Sequence, residues 1–350
     1  MSPLVLRRVF DRTHGALTRL FEYVPARARA PRASHSYTRR RLRLSTAIRV
    51  GAGALVVAGV AAPVVRRRVR LPRGAVMAAA AVAPPMLVIA TPRGRLRDVG
   101  VVCLNMWAYL AAYELPHEDP ERQAARVHID YPLDVDRVLG FGTPPTVRLQ
   151  QRWAHPRSSF SRLERVLVFS HWVWFAVPHC AVGYVWWRRP ERAGAAAAQM
   201  YAVFDLGAAF YWALPTAPPW YAAQQGRLRE SDHERVRRMM IEFGEEFWGE
   251  RWPALFDLLG GNPLAAMPSL HFATSLMAAH LLSEVGPVSG AVGAAYAATL
   301  GVALVYLGEH YAADLLGGAL LTESVRRAAP SLSPLARRVI AALDAVPGSG

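Results

Sequence analysis

The stretch "LVYLGEHYAADLLGG", Leu304–Gly318, sets His310 and Asp314 inside an apolar run. A second stretch, "AAMPSLHFATS", Ala265–Ser275, places His271 at the entry of another. Membrane interiors penalise ionisable groups, so residues of this kind mark a functional site unless they hold helices together. Around them the chain alternates apolar blocks with arginine-rich joints. The blocks fall at 46–65, 74–91, 98–114, 163–187, 194–214, 266–284, 287–305 and 309–327, each near the roughly 20 residues that a bilayer core demands. The expected fold is an all-α integral membrane protein.

Composition agrees. Of 350 residues 53% are hydrophobic, mean hydropathy is +0.13, and the formal charge is +15. No lysine is present, so every basic side chain other than histidine is arginine. A pI near 10.7 raises nucleic acid as a partner. No recognition motif supports it, and arginines that flank spans and meet anionic headgroups explain the charge. Cys103 and Cys180 lie in apolar segments and read as small core residues rather than a disulfide or metal pair. The N-terminus is basic and lacks the apolar core and cleavage site of a signal peptide.

Four regions follow. Residues 1–45 form a basic cytoplasmic tail, 46–97 two N-terminal membrane segments, 98–328 a catalytic membrane core, and 329–350 a cytoplasmic tail. Polar stretches at 115–160 and 215–263 interrupt the core. The second carries "RVRRMMIEFGEEFWGERWPALFDLL", whose aromatics among charges predict one or two interfacial helices. Arginine bias at 93–97, 188–192 and 326–338 marks those joints as cytoplasmic. Counting spans then puts 115–160, 215–263 and the His310 turn on the extracytoplasmic face of a bacterial-type plasma membrane. One joint disagrees: Arg66, Arg67, Arg68, Arg70 and Arg73 would face outward.

The chemistry these residues suit is phosphoryl transfer through a covalent intermediate. It needs a nucleophile, an orienting group, an acid for the leaving oxygen and a cradle for phosphate. His310 and Asp314 are four apart and share a helix face, so the carboxylate can hold one ring nitrogen and leave the other free. His271 supplies a second imidazole for proton transfer. Ser269 suits a helix cap, and the amides of a helix start bind phosphate. Three ligands from His271, His310 and Asp314 raise zinc as a rival, but no fourth donor is near in sequence. The expectation is no metal and no cofactor. His171 and His179 share a span and read as helix–helix hydrogen-bonding groups, and His280 as structural. Asp134 and Asp136 form an Asp-X-Asp that reads as a loop or helix start.

"PSLH" followed by "VYLGEHYAADLLGG" resembles the second and third signatures of the type 2 phosphatidic acid phosphatase superfamily. "LPTAPPWY", Leu214–Tyr221, and "YPLDVDRVLGFGTPPTVRLQ", Tyr131–Gln150, are similar to its inositol phosphorylceramide synthase, or aureobasidin-resistance, branch. The resemblance covers roughly residues 100 to 328. It implies a six-helix phosphatidic acid phosphatase-like core plus about two extra N-terminal segments. It also implies that His310 is the nucleophile, Asp314 its partner and His271 the acid and base. The first signature is absent, and Leu304 stands where the third has an arginine. Glu309 beside His310 is unhelpful to an anionic substrate. Phosphate charge therefore falls to other cations, for which Arg227, Arg229, Arg237 and Arg238 are the candidates. The expected activity is lipid phosphotransfer, moving a phosphorylated headgroup such as phosphoinositol to a hydroxyl acceptor. The alternatives are a lipid phosphate phosphatase acting on phosphatidate or an isoprenyl phosphate, and a non-enzymatic transporter or scaffold. The partners implied are phospholipid or isoprenoid-lipid phosphate substrates and membrane lipids. Oligomeric state is not legible.

Overall fold

The computed structural model describes residues 35–115, 119–155, 160–228, 236–259 and 262–344. Arg229 and the N-terminal 34 residues lie outside them. Met1–Ala47 and Ile48–Gly350 are separate compact units. Three long helices come first: α1 (His35–Val69), α2 (Arg73–Ala90) and α3 (Arg95–Glu114). The first polar stretch folds into short helices α4 (Pro120–Ala124), α5 (Asp130–Leu139) and α6 (Pro145–Trp153). Helices α7 (Arg162–Trp172) and α8 (Val177–Arg188) follow, then α9 (Ala193–Ala213). The second polar stretch gives α10 (Pro219–Gln224), α11 (Met239–Trp248) and α12 (Trp252–Leu259). The chain closes with α13 (Leu270–Ser283), α14 (Pro287–Tyr306) and α15 (Ala312–Asp344).

All eight apolar runs fall on helices, and the described residues contain no strand beyond isolated bridges. Among the described residues three helices are long and apolar enough to cross a membrane, within 46–66, 73–90 and 287–306. The run expected as one span at 163–187 is two helices, α7 and α8, bent by 59° around residues 173–176. Pro178 lies in the first turn of α8, where its missing amide costs nothing there but cannot continue α7. If that pair counts as one span, the number of crossing helices is four. The cysteines depart from expectation. Both are free and exposed rather than buried in the core.

Small residues bring the helices of the core together. A Cβ on Gly293 would meet the Ala279 Cα at 2.8 Å, and one on Gly207 would run into Leu270 at 2.3 Å. Where α15 crosses the start of α13, a Cβ on Gly318 would stand 2.7 Å from the Ser269 carbonyl oxygen. Only a hydrogen at that position allows the "PSLH" loop and the last helix to touch. The core behind them is aromatic and aliphatic, with Tyr109, Phe204, Tyr211, Leu270 and Met277 buried against one another.

The helix ends sort into two groups. Arg192 pairs with Glu284 at 2.6 Å, and His280 with Glu323 at 3.1 Å, which fixes one end. At the other end a small bridge of extended backbone joins 128, 216 and 265, so "LPTAPPWY" runs between the first polar stretch and the "PSLH" loop. The arginine joint at 66–73 belongs to this second end, since Arg66 approaches Glu114 and Arg73 approaches Asp119. Both polar stretches gather there. An aromatic cluster of Phe169, Trp172, Phe243, Phe247 and Trp248 ties α11 to α7. The one or two helices expected in the aromatic stretch 235–259 are two, α11 and α12.

Candidate active site

Residue Gly308 ends α14 in the left-handed region, with φ of +84°, where a side chain would be strained and would strike the Arg237 carbonyl. The reversal lets the Leu304 carbonyl accept from both Glu309 and His310 amides. His310 is thereby delivered to the head of α15, one helical turn before Asp314. Its Nδ1 lies 3.2 Å from Asp314 Oδ2, and its Nε2 lies 3.3 Å from His271 Nδ1. The same Asp314 oxygen accepts the Tyr311 amide at 2.9 Å. A carboxylate only accepts, so the Asp314 contact puts the His310 proton on Nδ1 and leaves Nε2 a lone pair. In the resting arrangement that lone pair accepts from His271. The expected pairing of His310 with Asp314 is present, and His271 completes a line. His310 is 4% exposed and Asp314 fully buried.

Helix α13 opens against this line. Ser269 Oγ accepts from the Phe272 amide, the Ser269 amide donates to the Asp314 carbonyl at 3.0 Å, and the Leu270 amide donates to the Tyr211 hydroxyl. Tyr211 in turn donates to the Pro268 carbonyl at 2.9 Å. Ser269 is therefore a fully buried cap, and of the first amides only that of His271 has no acceptor among the described residues. The two motifs are bonded directly to each other through Ser269 and Asp314.

Three more residues belong to the site and were not assigned to it from sequence. The bend after α7 brings His171 and Trp174 onto the His271 ring, with centroids 4.7 and 4.1 Å away. Trp174 is anchored by its indole donating to Thr274 Oγ1. His171 makes no helix–helix hydrogen bond through Nδ1, which is buried without a partner, whereas His179 does meet Tyr201 at 3.2 Å. Asp136 is the third. It reaches across from α5 to accept the Ala313 amide at 3.0 Å, capping α15 from 177 residues away in sequence. Burial pushes its carboxyl up to about 7, the Ala313 amide draws it back in part, and the neighbouring Asp314 pushes it up again. The Asp-X-Asp signal was visible, but only the fold shows which helix it starts.

The four arginines separate. Arg238 lies 3.5 Å from Glu309 and stacks on Trp220, its guanidinium carbon 3.8 Å from the ring centre. That places a cation one residue from the nucleophile candidate and accounts for Glu309. Arg237 is buried, paired with Glu242 and donating to the His155 carbonyl. Gln150 clamps its backbone to that of Tyr306. Arg227 is half-exposed and pairs with Asp130 at 3.5 Å, without contact to the histidines. Arg229 is not among the described residues.

Apolar helices with a buried His–His–Asp line at one end of the bundle are the arrangement of a membrane protein. A family model described as the PAP2 superfamily matches residues 133–324, more than half of the chain, and the chain belongs to that superfamily. The class chemistry is that of phosphatases and phosphotransferases acting on lipid phosphates. No curated protein and no solved structure matches the chain.

Proposed function

We propose that the chain is a lipid phosphotransferase working through a phosphohistidine. The observation that carries this reading is the continuous line from Asp314 through His310 to His271, in which both His310 ring nitrogens have a partner. In the first step His310 Nε2 attacks phosphorus, the bond from phosphorus to the lipid oxygen breaks, and protonated His271 gives that oxygen its proton. Nε2 is covered by His271 at rest, so the phosphoryl group must part the two rings, and the partly exposed His271 is the one with room to move. Asp314 stabilises the imidazolium that forms. In the second step His271 takes the proton of an acceptor hydroxyl, which attacks phosphorus as the P–N bond breaks. Arg238 exchanges Glu309 for the phosphate, whose charge it meets while Trp220 holds its guanidinium plane. Arg237 and Ser269 act by holding the loops in place.

A hydroxyl rather than water as acceptor is supported by the "PSLH" and "APPW" resemblance, by the burial of His310 and by the packing of Trp174 and His171 on the neighbouring His271 ring. The second reading, a lipid phosphate phosphatase, shares the first step and differs only in what attacks the intermediate. The core under this proposal is six spans, from α3 to α15 with α7 and α8 as one. Its site faces away from the cytoplasm, since the arginines at 188–192 and 326–327 sit at the opposite end.

The test is a mass-spectrometric inventory of lipids after purified protein meets phosphatidylinositol with and without diacylglycerol or other hydroxyl acceptors. A new phosphodiester lipid supports transfer. Free inositol phosphate alone, at the same rate with every acceptor, replaces it by hydrolysis. Sidedness is tested with Phe141→Cys, a fully accessible position near the site, and Glu191→Cys at the far end, in a background lacking Cys103 and Cys180. An impermeant thiol reagent on intact cells labels the first and not the second, and the reverse result inverts the topology.

A further inference from the structure

Two adjoining clefts open at the site end of the bundle without touching His271 or His310. The first, about 260 Å³, is lined by Arg73, Arg122 and Arg126 together with Tyr211 and Trp212. The second, about 300 Å³, shares Arg73 and Trp212 and continues down an apolar wall of Met77, Ala112, Ala208 and Ala209. The arginines come from the head of α2, the middle of the short α4 and the turn just after it. Arg126 is fixed by donating to the Trp212 carbonyl at 2.9 Å. Arg73 stands 3.8 Å from Asp119, too far to be a tight pair, and the Arg122 guanidinium has no side-chain partner among the described residues. Asp205 closes the apolar cleft about two turns below the arginines, with both oxygens bonded to Asn105. An anion entering there is held at the mouth and kept from going deeper.

We propose that this cleft binds an anionic phospholipid, separate from the catalytic line, with its phosphate among Arg73, Arg122 and Arg126 and an acyl chain along Met77, Ala208 and Ala209. The charge at the mouth matches a phosphodiester. The apolar wall excludes a free anion as the full occupant. The site also explains the arginine joint that counts to the wrong side of the membrane: Arg73 is at the site end because a headgroup is bound there. The occupant lies behind Tyr211, whose hydroxyl holds the "PSLH" loop.

The experiment uses the full-length His310→Ala protein, so that turnover does not consume the probe. Retained lipid is counted by native mass spectrometry after exposure to phosphatidylglycerol or phosphatidylcholine. Phosphatidylglycerol is expected to stay bound in preference to phosphatidylcholine and to resist inorganic phosphate. Arg122→Gln, which breaks no side-chain contact, weakens retention by about fivefold, the worth of one arginine near a headgroup. Ala209→Leu fills the apolar cleft without changing charge and weakens it too. Arg152→Gln, an exposed arginine at the same end but outside the clefts, leaves retention unchanged. Three results each overturn the proposal: equal loss in Arg152→Gln, no loss in either cleft variant, or displacement by inorganic phosphate.

Discussion

Helices α13 and α15 bring a histidine and an acid together twice. At one end His271 meets the His310–Asp314 pair, and at the other His280 meets Glu323 at 3.1 Å. The residue types match and the distances are close. The surroundings differ. Asp314 is fully buried and its partner ring has one nitrogen left over, aimed at a second imidazole. Glu323 is 28% exposed and shared with Arg326 and Arg327. Water and arginine screen the second pair, so it holds two helix ends and nothing more. Chemistry requires the buried geometry and the spare lone pair, not the pair of residue types.

The sharpest way to break this comparison is to remove each imidazole in turn. His310→Ala is expected to lower turnover by at least about a thousandfold and to leave no acid-labile phosphoenzyme when wild type and variant are compared by mass spectrometry. His280→Ala is expected to change turnover by less than about twofold. Equal losses would make both pairs structural. Next in size is the division of labour within the buried line. Asp314→Asn keeps the shape but removes the charge that stabilises the imidazolium, and should lower kcat by about a hundredfold with KM little changed. His271→Ala should cost a similar factor on lipid substrates and far less on a nitrophenyl phosphate, whose leaving oxygen needs no proton. A uniform loss across leaving groups would remove His271 from the acid role.

Smaller effects test what holds the line in place. Gly318→Ala forces a methyl group to within 2.7 Å of the Ser269 carbonyl and should destabilise the fold by about 1–3 kcal/mol, read as a lowered melting temperature. The same change at Gly194, which has open space around it, should show at most the gain of a helix former. Asp136 gives a pH signature. Its carboxyl is raised to about 7 in the fold, so the stability it contributes is present below its ordinary value and lost as pH rises through about 7. Asp136→Asn keeps an acceptor for the Ala313 amide and removes that loss. The variant should gain on wild type in melting temperature by roughly 4 °C or more between about pH 5 and about pH 8. A constant difference would mean that Asp136 does not titrate there. The least effect is expected from dialysis against a chelator, which should leave the rate unchanged. A loss restored by zinc or manganese would add an ion to the line.

Much of this was legible because it is written in local pattern. Apolar run length gives helices, and all eight runs are helical. The i, i+4 spacing of His310 and Asp314 puts them on one face wherever a helix forms, and "PSLH" marks a helix entry with its cap. The family was legible for the same reason, since its motifs are short and contiguous. Other features depend on contacts between distant segments. No local rule distinguishes His171 from His179, yet the bend after α7 turns one toward His271 and the other toward Tyr201. Arg237 and Arg238 are adjacent in sequence, and only packing sends one to Glu242 inside the protein and the other to Glu309 beside His310. Asp136 caps a helix that begins 176 residues later. The sequence by itself determined the helices, their apolar character and the three side chains that the fold brings into one line, because those follow from hydropathy and spacing. The tertiary structure decided which charges lie beside the histidines, which clamp the loops, and which arginines line the separate cleft, because burial and partnership belong to residues that meet only once the chain is folded.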